Sequence, residues 1–541
     1  MEVREEFMVS PAAGDDSEPT LRTAHFLKPI AIATSIVSET ETLSFSSFVS
    51  PKFEPKEWPL TVHFNGWRNT NKKWITWVDA LRPRYESVWK KVGIFEAIMS
   101  TKCYIVKNQN LALGLAEKWC SKTNTFVFPW GEATITLEDV MVLGGYPLLG
   151  DHPASTSSSL LENNKEMKEV EERLILARKE HWRCEHGKPS TVAWIDTFIN
   201  SSGCELEHEA FLATWLSMFV FPHKRSLVNK SLFPIAILLA GGNSIALAPA
   251  VLARIYKDLS LLKETMVDLK KNDKLELEVS LYSPFYLVQI WAWERFKSLQ
   301  PKPNLTNDGG PVLFRWNKVK AMKIDNVRLV LDSAMDKDDF LWRPYVRYAS
   351  IFEDKELALF VTCVRVSELV GIDSSVMQYF PHRVAMQFGM DQGVPGCVPV
   401  FNGTKAIAWE NYCRPISDEN LYFPSKVFKA GVTARYARWW RKQSALHLHH
   451  EDFAKNIVRK KRSPRSLKLG SHVAAKASTS CNDADVPPKI VSNESNDRVS
   501  LFGTHGESHI CGSENVMELE QRISRLERVI AEAKIARFGH S

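Results

Sequence analysis

Apolar residues recur at intervals of three and four over most of residues 58–440, and this spacing predicts a mainly α fold. The clearest case runs from Trp74 to Met99, with an expected break at Pro83. Further helical patterns cover 111–119, 191–199, 209–220, 233–239, 246–262, 356–370 and the region around 377–388. Two shorter pieces, 312–316 and 327–331, look more β-like. The pattern predicts one large helical body.

A short hairpin is predicted inside this body. Thr125–Phe128 is a β-branched and aromatic run, Pro129–Glu132 supplies turn residues, and Ala133–Thr136 alternates again. The pattern predicts two short strands joined by a tight turn.

A helix is expected directly after the hairpin. Thr136 is a suitable N-cap, and Asp139 lies three residues on, where its carboxylate can complete a capping box. Gly144 and Gly145 should end the helix. Val140 and Leu143 would then share an apolar face with Phe126 and Phe128, which favours a structural core over a reactive site.

The two ends of the chain have a different composition. Residues 1–57 are rich in Ser, Thr, Glu and Pro and are predicted to be a disordered tail, and 441–513 reads as a basic, Ser/Asn-rich disordered linker. Over 514–537, a heptad seam predicts a short coiled coil, with a lone amphipathic helix as the alternative. The seam residues are Val516, Leu519, Ile523, Leu526, Ile530 and Ala533.

Composition excludes several classes of protein. The 541 residues contain 44% hydrophobic side chains, yet no unbroken apolar run of about 20 residues, so a membrane protein is not expected. Nine scattered Cys predict reduced thiols, and the acidic first residues do not resemble a secretory leader. Secretion is therefore not expected.

Positive charge is concentrated in one block. Arg435 to Lys468 holds eleven Lys and Arg against two acidic residues, a net charge of +9, whereas the whole chain carries only +6. The cluster Arg459, Lys460, Lys461 and Arg462 is typical of a nuclear import signal. Contact with nucleic acid and a merely solvated run are the alternatives.

Patterns for catalysis are incomplete. Gly150–His152 begins like a metallophosphatase motif, but the remaining metal-binding sequences do not follow. The helical patterning also lacks the βαβ alternation of an aminotransferase scaffold. His181, Cys184, Cys204 and His208 have spacing that could hold zinc, and uncoordinated Cys and His are the alternative. We expect no cofactor.

The order of sequence blocks resembles the plant mobile domain family, including its MAIN-like members. The central block contributes Trp119, Thr125, Phe126, Gly131, Glu132, Thr136, Leu137, Asp139, Val140 and Gly145. Later blocks are Leu287–Arg295 (LVQIWAWER), Phe340–Tyr345 (FLWRPY) and Tyr436–Trp440 (YARWW). The resemblance covers roughly 60–440 and implies a transposon-derived domain, assigned here to 58–440, that is sometimes labelled aminotransferase-like.

Three hypotheses on function follow. The first, implied by the resemblance, is a non-catalytic nuclear protein that acts as a protein-interaction module in transposon silencing, gene regulation or genome integrity. Its expected partners are a phosphatase-like or another plant mobile domain protein, or a second copy held through the coiled coil. The second is a nucleic-acid-binding remnant that uses Arg435–Lys468 with Trp439 and Trp440 as stacking side chains. The third is an enzyme with an unrecognised site.

Overall fold

A computed structural model places residues 1–11, 18–27, 57–153, 164–184, 190–200, 204–223, 228–271, 277–305, 310–334, 339–345, 356–396, 398, 404–414, 422–425 and 428–444. The predicted import signal and coiled coil lie outside these described residues. No helix among them is both long enough and apolar enough to cross a membrane.

The described chain is mainly α, as predicted. Its helices are α1 Lys72–Lys91, α2 Phe95–Ser100, α3 Gln109–Lys118, α4 Leu137–Gly144, α5 Lys165–Cys184, α6 Thr191–Asn200, α7 Glu207–Trp215, α8 Phe233–Ala240, α9 Leu247–Lys271, α10 Tyr286–Arg295, α11 Val327–Asp332, α12 Glu356–Val364 and α13 Lys405–Tyr412. Residues 434–444 are also helical. The long helix α9 touches α3 and α4 and therefore lies at the centre of the body.

The short strands among the described residues form four small sheets. They are β1 Glu2–Val9, β2 Thr20–Phe26, β3 Leu60–Phe64, β4 Trp119–Cys120, β5 Thr125–Phe128, β6 Gly131–Ala133, β7 Leu277–Leu281, β8 Ser367–Val370, β9 Val376–Tyr379 and β10 Val432–Thr433. The sheet orders are β10-β1-β2, β3-β7, β4-β5-β6 and β8-β9. Strands β3 and β7 are parallel and far apart in sequence, so local patterns could not predict their pairing.

The predicted hairpin and capped helix are present, but the second strand lies at Gly131–Ala133 and not at Ala133–Thr136, because the turn takes only Pro129 and Trp130. Phe126 pairs with Ala133 in antiparallel register, and the Thr136–Asp139 capping box forms at the start of α4. Helix α4 ends at Gly145, which has a left-handed φ of +69°. A Cβ atom there would lie 2.5 Å from the backbone nitrogen of Ala97, so only glycine fits this close approach.

The predicted break at Pro83 is wrong, because α1 continues through it. A proline inside a helix removes one backbone hydrogen bond. Pro83 and Asp79 are both exposed, so water can solvate the carbonyl that loses its partner. The inward face of α1, which includes Trp74, Trp77 and Trp89, is fully buried and outweighs the local cost.

The prediction of disorder over 1–57 is wrong for its first part. Strands β1 and β2 form a hairpin that pairs with β10 near the other end of the body. Arg22 makes two hydrogen bonds of 2.7 and 3.0 Å to the buried Asp391, whose carboxylate also accepts from the backbone nitrogens of His25 and Gly431. Arg22 and His25 lie more than 360 residues from Asp391 in sequence, so composition alone could not show these contacts.

Four local predictions are also corrected. Residues 312–316 form a 3₁₀-helix and 327–332 an α-helix, although both looked β-like. The helix expected around 377–388 is instead strand β9 followed by a 3₁₀ segment, Pro381–Phe388. The helix expected over 356–370 ends at Val364 and is followed by β8. Short apolar runs do not distinguish strand from helix, and tertiary pairing decided each case.

Candidate functional site

Asp139 is the centre of a buried polar cluster. One carboxylate oxygen, Oδ2, accepts hydrogen bonds of 2.7 Å from both the backbone nitrogen and the hydroxyl of Thr136. The other, Oδ1, accepts from Arg295 Nη2 at 2.8 Å and from the Tyr345 hydroxyl at 2.7 Å. All four donors surround one carboxylate that solvent does not reach. The cluster stabilises a buried charge by pairing and hydrogen bonding together.

Arg295 connects this carboxylate to a third part of the chain. Its Nη1 donates to the backbone carbonyl of Trp342 at 2.7 Å, and its guanidinium lies 5.6 Å from the centre of the Tyr345 ring. Burial opposes the positive charge, but Asp139 and Tyr345 raise the pKa of Arg295 above its ordinary value. Burial, with Asp139 nearby, raises the pKa of Tyr345. The Tyr345 hydroxyl therefore stays protonated and donates a hydrogen bond to Asp139.

A second buried pair lies on the hairpin itself. Glu132 accepts from Arg383 Nε at 3.0 Å and from Arg383 Nη2 at 2.8 Å, a bidentate pair, and also from the Thr125 hydroxyl at 2.7 Å. Gln387 adds two hydrogen bonds of 2.8 Å to the backbone of Thr134. The segment 381–388 is thus fixed to the outer strand of the hairpin by charge-assisted and amide hydrogen bonds.

These contacts explain why separate sequence blocks occur together. The central block supplies Asp139, while Arg295 closes the LVQIWAWER block and Tyr345 closes the FLWRPY block. Sequence reasoning did not identify Arg295, Tyr345 or Arg383 as their partners. One sequence pattern could have indicated the partner of Arg295. An arginine at the end of an apolar helix is expected to be buried, and a buried arginine requires an acidic partner.

The chemistry of the cluster is structural. A general base needs a free lone pair within reach of a substrate proton. The lone pairs of Asp139 and Glu132 are directed at donors within the chain, and neither side chain is accessible. The arrangement can position helices and strands, and it offers no path for a substrate to these two carboxylates.

Glu138 differs from Asp139 within the central block, because its side chain is half-buried and not fully buried. Burial and the negative charge of Asp139 raise the pKa of Glu138 to about 7, an effect that Arg295 and Arg343 only partly offset. The folded protein therefore binds a proton here that the unfolded chain releases above its usual carboxyl pKa.

This pKa shift predicts that Glu138→Gln increases the free energy of unfolding, and that the increase grows with pH. A carboxyl whose pKa is raised on folding loses stability as the pH rises, here from about 4.5 to about 7. The variant should equal the parent near pH 4.5 and exceed its free energy of unfolding by about 1–3 kcal/mol at pH 8. Urea denaturation at the two pH values measures this. The exposed Glu169→Gln on α5 is the control, and an equal effect in both variants would contradict the prediction.

Three of the residues considered for zinc, His181, Cys204 and His208, have described side chains. His208 Nε2 accepts from Trp89 Nε1 at 3.0 Å, and its ring stacks on Tyr85 at 3.8 Å. Burial lowers the pKa of His208 to about 4. The ring of His181 lies 3.2 Å from the carbonyl of Ser190, and Cys204 is a free thiol. No group of three potential ligands occurs in the described part of the chain, which does not include the side chain of Cys184.

The aromatic residues proposed as stacking side chains are also placed. Trp440 is buried, and its Nε1 donates to the carbonyl of Pro129 at 2.9 Å, while Trp439 is half-buried against it. The expectation that Trp440 stacks on bases is therefore wrong, because its ring packs into the hairpin.

Taken together, fold and site define a helical protein whose sequence blocks meet at buried ion pairs. The chain belongs to the plant mobile domain family, whose sequence profile matches residues 93–441, well over half of its length. The resemblance deduced from the central block is thereby confirmed. No solved structure matches the chain significantly.

Three curated proteins of Arabidopsis thaliana are similar. "Serine/threonine-protein phosphatase 7 long form homolog" is 26% identical over 54% of this chain, but the match covers only 22% of that protein. "Protein MAINTENANCE OF MERISTEMS" is 25% identical over 54% of this chain and 59% of its own length. "Protein MAIN-LIKE 1" is 24% identical, over 53% and 55%. The chain thus spans between about a fifth and three fifths of these relatives.

Proposed function

We propose that this chain is a non-catalytic nuclear protein that acts as a protein-interaction module in transposon silencing, gene regulation or genome integrity. One observation carries the non-catalytic part: the carboxylates of the central block, Asp139 and Glu132, bind donors from distant parts of the same chain. These carboxylates therefore stabilise the fold, and a partner protein would bind to the surface of the body.

The phosphatase-named relative supports one class of partner. The region shared with this chain covers only 22% of that relative, so most of the relative lies outside the shared region. A domain that occurs within a longer polypeptide in one protein can meet an equivalent polypeptide as a separate partner in another. A phosphatase-like protein or a second plant mobile domain protein is therefore the partner we propose, and the 514–537 heptads would allow self-association.

A second candidate function is nucleic-acid binding. Exposed Arg435, Arg438, Arg441 and Lys442, on helical residues 434–444, favour it.

One fractionation experiment tests nuclear location and partner capture together. Tagged full-length chain is expressed in plant cells beside two variants, one with Arg459, Lys460, Lys461 and Arg462 changed to Ala and one ending at residue 513. The parent should concentrate in nuclei with co-purified proteins. The Ala variant should shift to the cytoplasm, since an import signal requires its basic cluster. The shortened variant should stay nuclear but lose capture of a second tagged copy.

Two results would overturn the proposal. An enzyme activity that co-purifies with the chain and is lost in a folded single-residue variant would contradict the non-catalytic part. An unchanged nuclear fraction in the Ala variant would remove the assigned role of residues 459–462. Thermal melting of each purified chain is the control that separates lost binding from lost folding.

A further inference from the structure

Residues 434–444 form a helix fixed rigidly to the body. Thr433 caps it, because its hydroxyl accepts a hydrogen bond of 2.9 Å from the backbone nitrogen of Tyr436. Tyr436, Trp440 and Gln443 face inward and are buried, at helical spacing. The Tyr436 and Trp440 rings stack at 5.9 Å, and Trp440 bonds to the hairpin turn. This inward face leaves the helix little freedom to rotate about its axis.

The opposite face is uniformly basic. Arg435, Arg438, Arg441 and Lys442 are all exposed, and we refer to them as the basic ridge. Their spacing of three, six and seven residues places them in one stripe about 10 Å long. The Nε atoms of Arg438 and Arg441 each donate to a backbone carbonyl of the helix at 3.3 Å, which holds these side chains along its surface. The stripe therefore places four basic side chains at the surface of one helix.

The basic ridge should recognise its partner by negative charge. Interfaces between proteins usually depend on a few buried aromatic or apolar side chains. The aromatic residues of this helix are turned inward or half-buried, so they are not available for that purpose. A regular row of phosphates suits the basic ridge better, since guanidinium groups bind phosphate oxygens in pairs.

We propose that the basic ridge binds the phosphate backbone of a nucleic-acid duplex, without base stacking and without sequence preference. Single-strand binders combine a positive groove with exposed aromatic rings, and the buried Trp440 cannot serve in that way. Backbone contact alone supplies non-specific duplex binding that falls steeply with salt. Seven further Lys and Arg between 455 and 468 extend the positive charge along the sequence. The inference rests on the second candidate function and is independent of partner capture.

Fluorescence anisotropy with a labelled 30-base-pair DNA duplex tests the inference on the full chain. Changing Arg435, Arg438, Arg441 and Lys442 together to Ala should weaken binding at 100 mM salt by roughly tenfold or more. It should also reduce the slope of log affinity against log salt by about 3, since each lost phosphate contact removes about 0.9. Two duplexes of unrelated sequence should bind the parent equally well.

The control removes the same charge elsewhere. Lys165, Lys168, Lys179 and Arg183 are exposed on α5 beside several Glu side chains, and changing these four to Ala should leave the slope nearly unchanged. An equal loss in both variants would overturn the assignment to the basic ridge. Equal or tighter binding of polyglutamate would overturn the nucleic-acid assignment, and tighter binding of a single strand would overturn the duplex preference. None of these three results bears on capture of protein partners in nuclei.

Discussion

Replacing Asp139 with Ala should lower the free energy of unfolding by about 3–5 kcal/mol, one of the two largest effects expected in this protein. The change removes the carboxylate half of the α4 capping box and leaves the guanidinium of Arg295 buried without its counter-ion. Because a domain is stable by only about 5–15 kcal/mol, much of the variant should be unfolded at moderate temperature. Urea denaturation of parent and variant measures the difference.

A matched control and a double variant isolate the cause. Asp196 also pairs with a cation, Lys73, but on the surface, so Asp196→Ala should cost no more than about 1 kcal/mol. Combining Asp139→Ala with Arg295→Met should recover part of the stability, since no unpaired charge then remains buried. If Asp139→Ala keeps its stability and yet loses partner capture, Asp139 is a functional carboxylate and the structural interpretation fails.

The sequence was informative where causes are local. The Thr136–Asp139 capping box and the C-cap Gly145 depend on residues that are close in sequence, so residue type and spacing were enough to predict them. The hairpin followed for the same reason. Contacts between residues 139 and 295 or 132 and 383 depend on how whole helices pack, and no single-sequence pattern records that.

The errors have the same origin. The first strands were missed because only Met8, Ala24 and Phe26 of this hairpin are buried, which is too few for a clear alternating pattern. Their stability depends on Asp391 and β10, at the far end of the domain in sequence. Trp439 and Trp440 were interpreted as a stacking surface because neighbouring aromatic residues and basic residues coincide in sequence. The helix separates them, with Trp440 inside and the arginines outside.

Ion pairs and aromatic packing support the same hairpin in different ways. Arg383 fixes the edge strand, whereas Trp130 and Trp440 close the turn at Phe128–Pro129. The turn therefore connects the aromatic core to the helix that carries the basic ridge. A change in this core should therefore affect the basic ridge only through the stability of the body.

Phe128→Ala tests this connection and should cost about 3–5 kcal/mol through the cavity it leaves. Phe128 is 2% exposed, stacks on Trp130 at 4.6 Å and meets Phe296 edge-on at 5.8 Å. Thr136→Ala should cost only about 1 kcal/mol, since it removes the cap hydroxyl and leaves the core filled. Thermal and urea unfolding of the two variants should therefore show a graded loss.

An exposed aromatic residue provides the control for Phe128. Phe7 on β1 is 54% exposed, so Phe7→Ala should change stability by no more than about 0.5 kcal/mol. Partner capture and duplex binding should fall in Phe128→Ala only in proportion to the folded protein lost, because Phe128 is buried and cannot itself contact a partner. A Phe128→Ala variant with parental stability would contradict a hairpin that is part of the core, and so would a loss of stability as large in Phe7→Ala.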